Sequence, residues 1–586
     1  MSKTKISVFP LIWLAAALPA QQEQGTVQAK IESSEVSQAV QGDEGQLRYE
    51  ILRPFDSSAY QVKPMPATSG ISTGPKRALT YDLLSGEEQA FDPVTSGLPN
   101  AGWVVGRNLA DEVGESLNRS FGQLQGITSS AFPWSAHARM FFQQSGIPYL
   151  CSGTLVDART MMTAGHCVHE GFGGQWSTNV SISPSWDGDD DAFGSANGVL
   201  LSSWSNWVYD GDYAGDIGWV RLDRPVGFLT GWFGYGYNDD NNWWNSTSFW
   251  MTGYPGGCFS GAPDTLYYAG GTWDSVGSHI VEADMNESCW IGGMSGGGIY
   301  YHDGFGNRYV YANVSHGWGW PTSTTRMGAR RIESSAFDWM VNSFIPDAYS
   351  TTQEDYIPLR TRVDMGGSSV VAGEAVAHMD YTIFNTSKYD PPSTQIDVDV
   401  YLSSNDNISE FDTHIQRHYF NWDFGPMGGV IINVPPPTIP ANTLAGNYFL
   451  GVIVDEVDLN QDNNDTDGWD AAPITVVNPY DSITLTGPAF ADVGSTVTYN
   501  VADAPASSPA WMYWSRSNTG TTINGHPFEI GSPYGTVATG TTSSTGTWSV
   551  VGTVPPALSG VKIWLEVRVD SAGVTYDSNT KTLRGN

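Results

Sequence analysis

Three short motifs, met in a fixed order, constrain this chain more than any other feature: Thr163-Ala164-Gly165-His166-Cys167, then Asp216-Ile217-Gly218-Trp219-Val220, then Gly292-Gly293-Met294-Ser295-Gly296-Gly297. The first carries an imidazole, the second a carboxylate leading into an apolar run, the third a hydroxyl on a glycine-rich turn. A serine hydroxyl is a weak nucleophile at neutral pH, so it needs a base within reach, and the base needs a carboxylate to fix its tautomer. The order histidine, aspartate, serine separates the pattern from hydrolases in which the serine or the aspartate comes first.

On these motifs, residues 123 to 347 resemble the trypsin/chymotrypsin family, and within it bacterial members of the glutamyl-endopeptidase type. Cys151-Ser152-Gly153-Thr154-Leu155-Val156 is similar to the family's cysteine-led strand, Gly253-Tyr254-Pro255-Gly256 to a turn of its bacterial members, and Val314-Ser315-His316-Gly317 to its substrate-pairing strand. Arg331 to Phe344, with Phe337, Trp339, Met340 and Phe344 at helical spacing, resembles the closing C-terminal helix. The resemblance implies an all-β chain with a chymotrypsin-like double β-barrel, and a serine endopeptidase acting on a protein or peptide substrate. His166, Asp216 and Ser295 would be catalytic, the N–H groups of Gly293 and Ser295 the oxyanion hole, and Trp290, Ser315, His316 and Gly317 the substrate-binding residues. Asp212 is a rival carboxylate, and Asp216 is preferred because the apolar strand follows it directly and would bury it.

The resemblance also implies disulfides, Cys151 with Cys167 and Cys258 with Cys289, in place of free thiols or a metal site. Met294 departs from the pattern, because zymogens of the family carry an aspartate just before the serine, which pairs with a new amino terminus; a thioether cannot. Activation is therefore expected by removal of a leading segment. The stretch Ser288-Cys289-Trp290-Ile291 holds no acid, which argues against selection of Lys or Arg. Relatives that cut after glutamate use a threonine there and a histidine near the pairing strand, where this chain has Trp290 and Val314. His316, two residues on, is open to two readings, a binder of acidic side chains or a wall.

No catalytic metal is expected: in His166-Cys167-Val168-His169-Glu170 the glutamate lies outside the two histidines, unlike zinc peptidases. No cofactor is required. Calcium is a candidate ligand of the acidic stretches Asp187 to Asp191 and Asp455 to Asp467, with solvated loops as the competing reading.

Residues 1–20, with Lys3 and Lys5 ahead of an apolar run and small residues up to Ala20, read as a secretory signal peptide, too short to span a bilayer. A secreted, extracellular protein without a membrane span is expected. The net charge of -34 disfavours nucleic acid. Residues 21–122, rich in turn clusters such as Thr68-Ser69-Gly70, read as a pro-segment or linker, with a disordered spacer as the alternative.

Beyond the protease-like region, Gln395 to Leu402 alternates apolar and polar residues, as a half-buried strand requires, and Gly446 to Val454 follows a Pro-rich turn. Residues 348–478 resemble immunoglobulin-like, cell-adhesion-related β-sandwich modules, and 479–586 suggest a second sandwich. These would take a cell-surface or matrix ligand. The competing class is a catalytically silent adhesin or scaffold built on a protease-like fold.

Overall fold

The computed structural model of the protein describes residues 61–586 except 67, 73–75, 95–96, 108–123, 128–129, 189–191, 258–263, 288–290, 319–323, 393, 442, 455–457, 460–463, 478–482, 524–525 and 572. The expected signal peptide, Trp290, Cys258, Cys289 and much of both acidic stretches lie outside the described residues.

Five short strands precede the two barrels: β1 (Gln61–Val62), β2 (Ala78–Asp82), β3 (Glu88–Phe91), β4 (Ala101–Val104) and β5 (Gln125–Ile127). The first barrel is built from β6 (His137–Gln144), β7 (Ile147–Asp157), β8 (Thr160–Thr163), β9 (Thr178–Pro184), β10 (Ala196–Trp204) and β11 (Gly218–Leu222). Their order is β11-β8-β7-β6-β9-β10, and β10 pairs back onto β11 with Leu201 opposite Val220, which closes six strands. Closure leaves no free edge within the ring, and the interior must then be filled by side chains. Met140, Leu155, Ile182, Leu201 and Val220 fill it.

The second barrel uses β12 (Gly234–Asn238), β13 (Phe249–Gly253), β14 (Leu266–Gly271), β15 (Ser275–Val276), β16 (Ile280–Glu287), β17 (Gly298–His302), β18 (Arg308–Trp318) and β19 (Thr324–Arg331). It is a half-barrel, in the order β15-β16-β19-β18-β17-β13-β14-β5, with β12 bridging β18 and β4. Its core holds Met251, Met285, Ile291, Met294, Ile299 and Val314. A helix at Ser334–Trp339 continues as a π-helical turn over Met340–Phe344, and Trp339, Met340 and Phe344 pack into the first barrel's core.

Strand pairing reaches back beyond residue 123, where the sequence places the start of the protease-like region. β2 pairs antiparallel with β10 and β4 with β12. Ala78–Asp82 and Ala101–Val104 are therefore woven into the barrels.

After Tyr349 the chain builds two pairs of facing sheets. In the first, Tyr356–Asp364, His378–Asn385 and Gly429–Val434 face a five-stranded sheet containing Thr394–Ser403 and Gly446–Val454. Ile396, Val398 and Val400 are fully buried and alternate with Asp397 and Asp399, so the period of two seen in the sequence points one face inward. The second pair has its own core around Leu485, Met512, Leu565 and Val567. The first pair is fastened to the first barrel by Arg224, whose guanidinium donates to both oxygens of Asp470, and by Phe228 stacked on Phe384 with centroids 4.2 Å apart. No described helix is long and apolar enough to cross a membrane.

Candidate active site

The imidazole is placed by a single helical turn, Gly165–Val168, that begins where β8 ends. Cys167 in the same turn is bonded to Cys151 of β7, with 16 residues of separation. The carboxylate sits at the end of a 3-10 turn, Tyr213–Gly215, just before β11. The hydroxyl lies on the turn between Ile291 and β17, where Gly293 and Gly296 have φ of 95° and 83°, a region L side chains rarely enter. At Gly296 a Cβ would also collide with Thr163 Oγ1, so this turn packs directly against the strand that leads to the histidine.

Asp216 is fully buried and its oxygens are saturated. Oδ1 accepts the backbone N–H of His166 at 2.8 Å, Nδ1 of the same residue lies 3.1 and 3.0 Å from Oδ1 and Oδ2, and Ser315 Oγ donates to Oδ2 at 2.6 Å. Burial alone would raise the Asp216 carboxyl, but the charge of His166 and the hydrogen bonds from His166 and Ser315 outweigh it and hold the group below the usual carboxylate range. Asp212, the rival, is spent elsewhere: it caps the 3-10 turn by accepting from Ala214 N–H at 2.9 Å and also accepts from Asn206.

With Nδ1 turned to the carboxylate, His166 Nε2 is left buried and without a hydrogen-bond partner. Ser295 Oγ is in the same state. The carbonyl of Ser295 lies 3.8 Å from Cys167 Sγ and accepts from Ser152 N–H, so the serine turn and the histidine turn share one wall. Ser152 braces that turn further: its hydroxyl donates to Gly293 O at 2.7 Å and accepts from Tyr254 N–H. Met294, next to the serine, is fully buried in the second core.

Of the expected substrate-binding residues, Ser315, His316 and Gly317 lie in sequence on β18. His316 is stacked on Tyr213 with ring centroids 3.9 Å apart and lies over Gly328, where a Cβ would meet its Nε2. Burial pushes its imidazole down to about 4 although Asp216 and Glu282 pull the other way. A neutral ring enclosed this way carries no charge to offer an anion at neutral pH. Tyr213 and Ser152 also border the site: Ser152 lies within the Cys151–Val156 motif, whereas nothing in the local sequence marks Tyr213.

Cys151, His166 and Cys167 bring ligand-type atoms within 4.8 Å of one another, but both sulfurs are spent in the disulfide and have no thiolate to offer a metal.

The Trypsin family model matches residues 124–339. Over that span the chain is similar to trypsin-like serine proteases. Among curated proteins, an extracellular metalloprotease of Bacillus subtilis is 25% identical over 178 residues, covering 29% of this chain and 56% of that protein. A glutamyl endopeptidase of Bacillus licheniformis is 30% identical over 106 residues, covering 18% and 33%. The matches thus span about half and a third of those relatives' lengths. Solved structures similar to part of the chain include a Glu endopeptidase, at 17% identity and TM-score 0.32, covering 37% of this chain and 94% of that one. Another is a thermostable serine protease from an extremophilic microorganism, at 22% identity and TM-score 0.30, covering 36% and 99%.

Proposed function

We propose that the chain is a secreted endopeptidase that cuts peptide bonds through an acyl-enzyme on Ser295. The reading is carried by one observation: Asp216 is buried with both oxygens turned to His166, which leaves Nε2 as the basic nitrogen beside the nucleophile turn. In this mechanism Nε2 takes the Ser295 proton as Oγ attacks the peptide carbonyl, and Asp216 stabilises the imidazolium that forms. The N–H groups of Gly293 and Ser295 would hold the oxyanion, a contribution of about 3 kcal/mol per donor. Nε2–H then protonates the leaving amine, and water, deprotonated by the same nitrogen, releases the acid.

The likeness to a glutamyl endopeptidase supports peptide substrates. A preference for acidic side chains draws no support from His316, which is walled in by Tyr213 and Gly328. The two sheet pairs after residue 349 would serve as immunoglobulin-like modules for a cell-surface or matrix ligand, with calcium as a candidate ion of the acidic loops.

The test is fluorophosphonate labelling of the purified protein, mapped by mass spectrometry, beside Ser295→Ala. An adduct on Ser295 that the variant lacks, with cleavage of a peptide library, is expected. A folded protein that neither labels nor cuts, before or after limited proteolysis ahead of Ala78, sinks the reading in favour of a binding protein.

A further inference from the structure

A nucleophile that must reach a polypeptide carbonyl needs an open path, yet Ser295 is 0% and His166 1% exposed. The segment from Gln61 to Gly70 lies against the turns on either side of these groups. Gln61 and Val62 pair parallel with Tyr149 and Leu150 of β7, and Lys63 N–H donates to Leu150 O at 3.0 Å. Val62 is pressed onto the oxyanion turn: a Cβ on Gly293 would meet its side chain at 3.3 Å and one on Gly256 at 2.2 Å. Lys63 donates to Gln144 and sits over the Tyr149 ring. Met65 is buried in the core group that holds Ile291 and Met294.

Across the site, Pro66 O accepts from Tyr213 OH at 2.9 Å, Ser69 Oγ accepts from Tyr213 N–H at 3.0 Å, and Gly70 N–H donates to Gly211 O at 2.9 Å. The segment therefore touches the serine's turn at one end and the aspartate's turn at the other. Its fastenings are largely main-chain hydrogen bonds of the kind any extended peptide makes. Gln61, Pro64, Thr68 and Ser69 stay exposed, so it lies on the domain, whereas β2, beginning at Ala78, is built into it.

Resting on the serine-peptidase reading, we propose that residues 61–70 are a resident peptide that fills the substrate groove along Leu150, Gly293 and Tyr213 and keeps the enzyme inhibited until it is cut away or displaced. Release without loss of barrel strands requires a break between Gly70 and Ala78, where Ile71 is 87% exposed. The new amino terminus then remains attached through β2.

The experiment compares three full-length proteins in fluorophosphonate labelling of Ser295. These are the natural chain, a Val62→Asp/Gly70→Val variant, in which the second change drives a Cβ into Asp210 O, and a chain whose residues 72–75 are replaced by the recognition sequence of a site-specific protease. The third folds with the segment in place and is cut afterwards, so it stays informative if the double variant misfolds. Labelling is expected to rise roughly tenfold or more in the variant and after the cut, since reactivity scales with the open fraction. A synthetic 61–70 peptide should slow it again, saturably. Hydrogen exchange at the amides of Lys63 and Gly70 reports docking independently, protected in the natural chain and lost in the opened ones. A natural chain that labels as fast as the opened ones, or shows no protection at those amides, overturns the proposal. Opened, folded chains that never label at Ser295 overturn the serine reading beneath it.

Discussion

Ser315 Oγ donates to Asp216 Oδ2 at 2.6 Å, on a carboxylate that already holds the backbone and the ring of His166. Such a group fixes the tautomer of the base, and Asn in its place presents a donor where an acceptor is needed. Asp216→Asn is expected to lower kcat by about 10⁴-fold with little change in KM. Asp212→Asn touches a turn cap and the bond from Asn206, not the imidazole, and should cost less than about tenfold. Ser315→Ala falls between them, near ten- to a hundredfold, the worth of one hydrogen bond to a charged group. Steady-state kinetics on a peptide substrate decides, and equal losses for Asp212 and Asp216 would sink the assignment.

The Cys151–Cys167 bond closes a short loop between β7 and the turn carrying His166. Replacing both cysteines by alanine is expected to cost about 3 kcal/mol of stability, by the loop-entropy relation. Urea unfolding of the variant measures it, and an unchanged midpoint would show that packing alone holds that turn.

Arg224 and Asp470 join the first barrel to the first pair of sheets. Burial works against the Arg224 charge, but Asp470 outweighs it and raises the guanidinium above its ordinary value. The Asp470 carboxylate also accepts from Arg360 N–H at 2.8 Å. Asp470→Asn leaves a buried cation without its partner and should destabilise by about 3 kcal/mol or more, while Arg224→Met with Asp470→Leu should be far milder. Calorimetry tests the contrast: the pair matters little to this joint if the single change leaves the unfolding temperature where it was.

Four buried histidines make the fold acid-sensitive. Burial pushes His137 down to about 3, helped by Arg308, and His169, His316 and His418 each to about 4, against about 6.5 in an unfolded chain. Between those values the unfolded state binds more protons, so stability falls as pH drops from about 6.5 towards 4. Below that window the paired carboxylates add to the loss. Glu333 is one: burial would raise it, but Arg330, His279 and Lys76 hold it far below its usual range. Urea midpoints at pH 7, 5.5 and 4.5 should decline in that order, and a flat series would contradict the burial of these rings.

His166, Asp216 and Ser295 were legible because each sits in a short motif whose residue types the chemistry demands, and the glycines around the serine announce a turn that other residues would strain. The alternation in Thr394–Ser403 was legible for a similar reason, since burial on one face imposes a period of two. Local pattern could choose between Asp212 and Asp216 only by what followed them; the structure separates them by their partners, a backbone cap for one and an imidazole for the other.

What the sequence by itself determined, then, is the set of reactive groups, the all-β character and the turns that hold the chemistry. Only the tertiary structure decided that Ala78–Asp82 is a barrel strand, that Tyr213 stacks on His316, and that Val62 and Pro66 lie against the turns of Gly293 and Tyr213. Ala78–Asp82 meets its partner more than a hundred residues away, across Ala196–Trp204. Long-range pairing of this kind is set by backbone hydrogen bonds and shared burial, which leave no residue-specific mark on either segment.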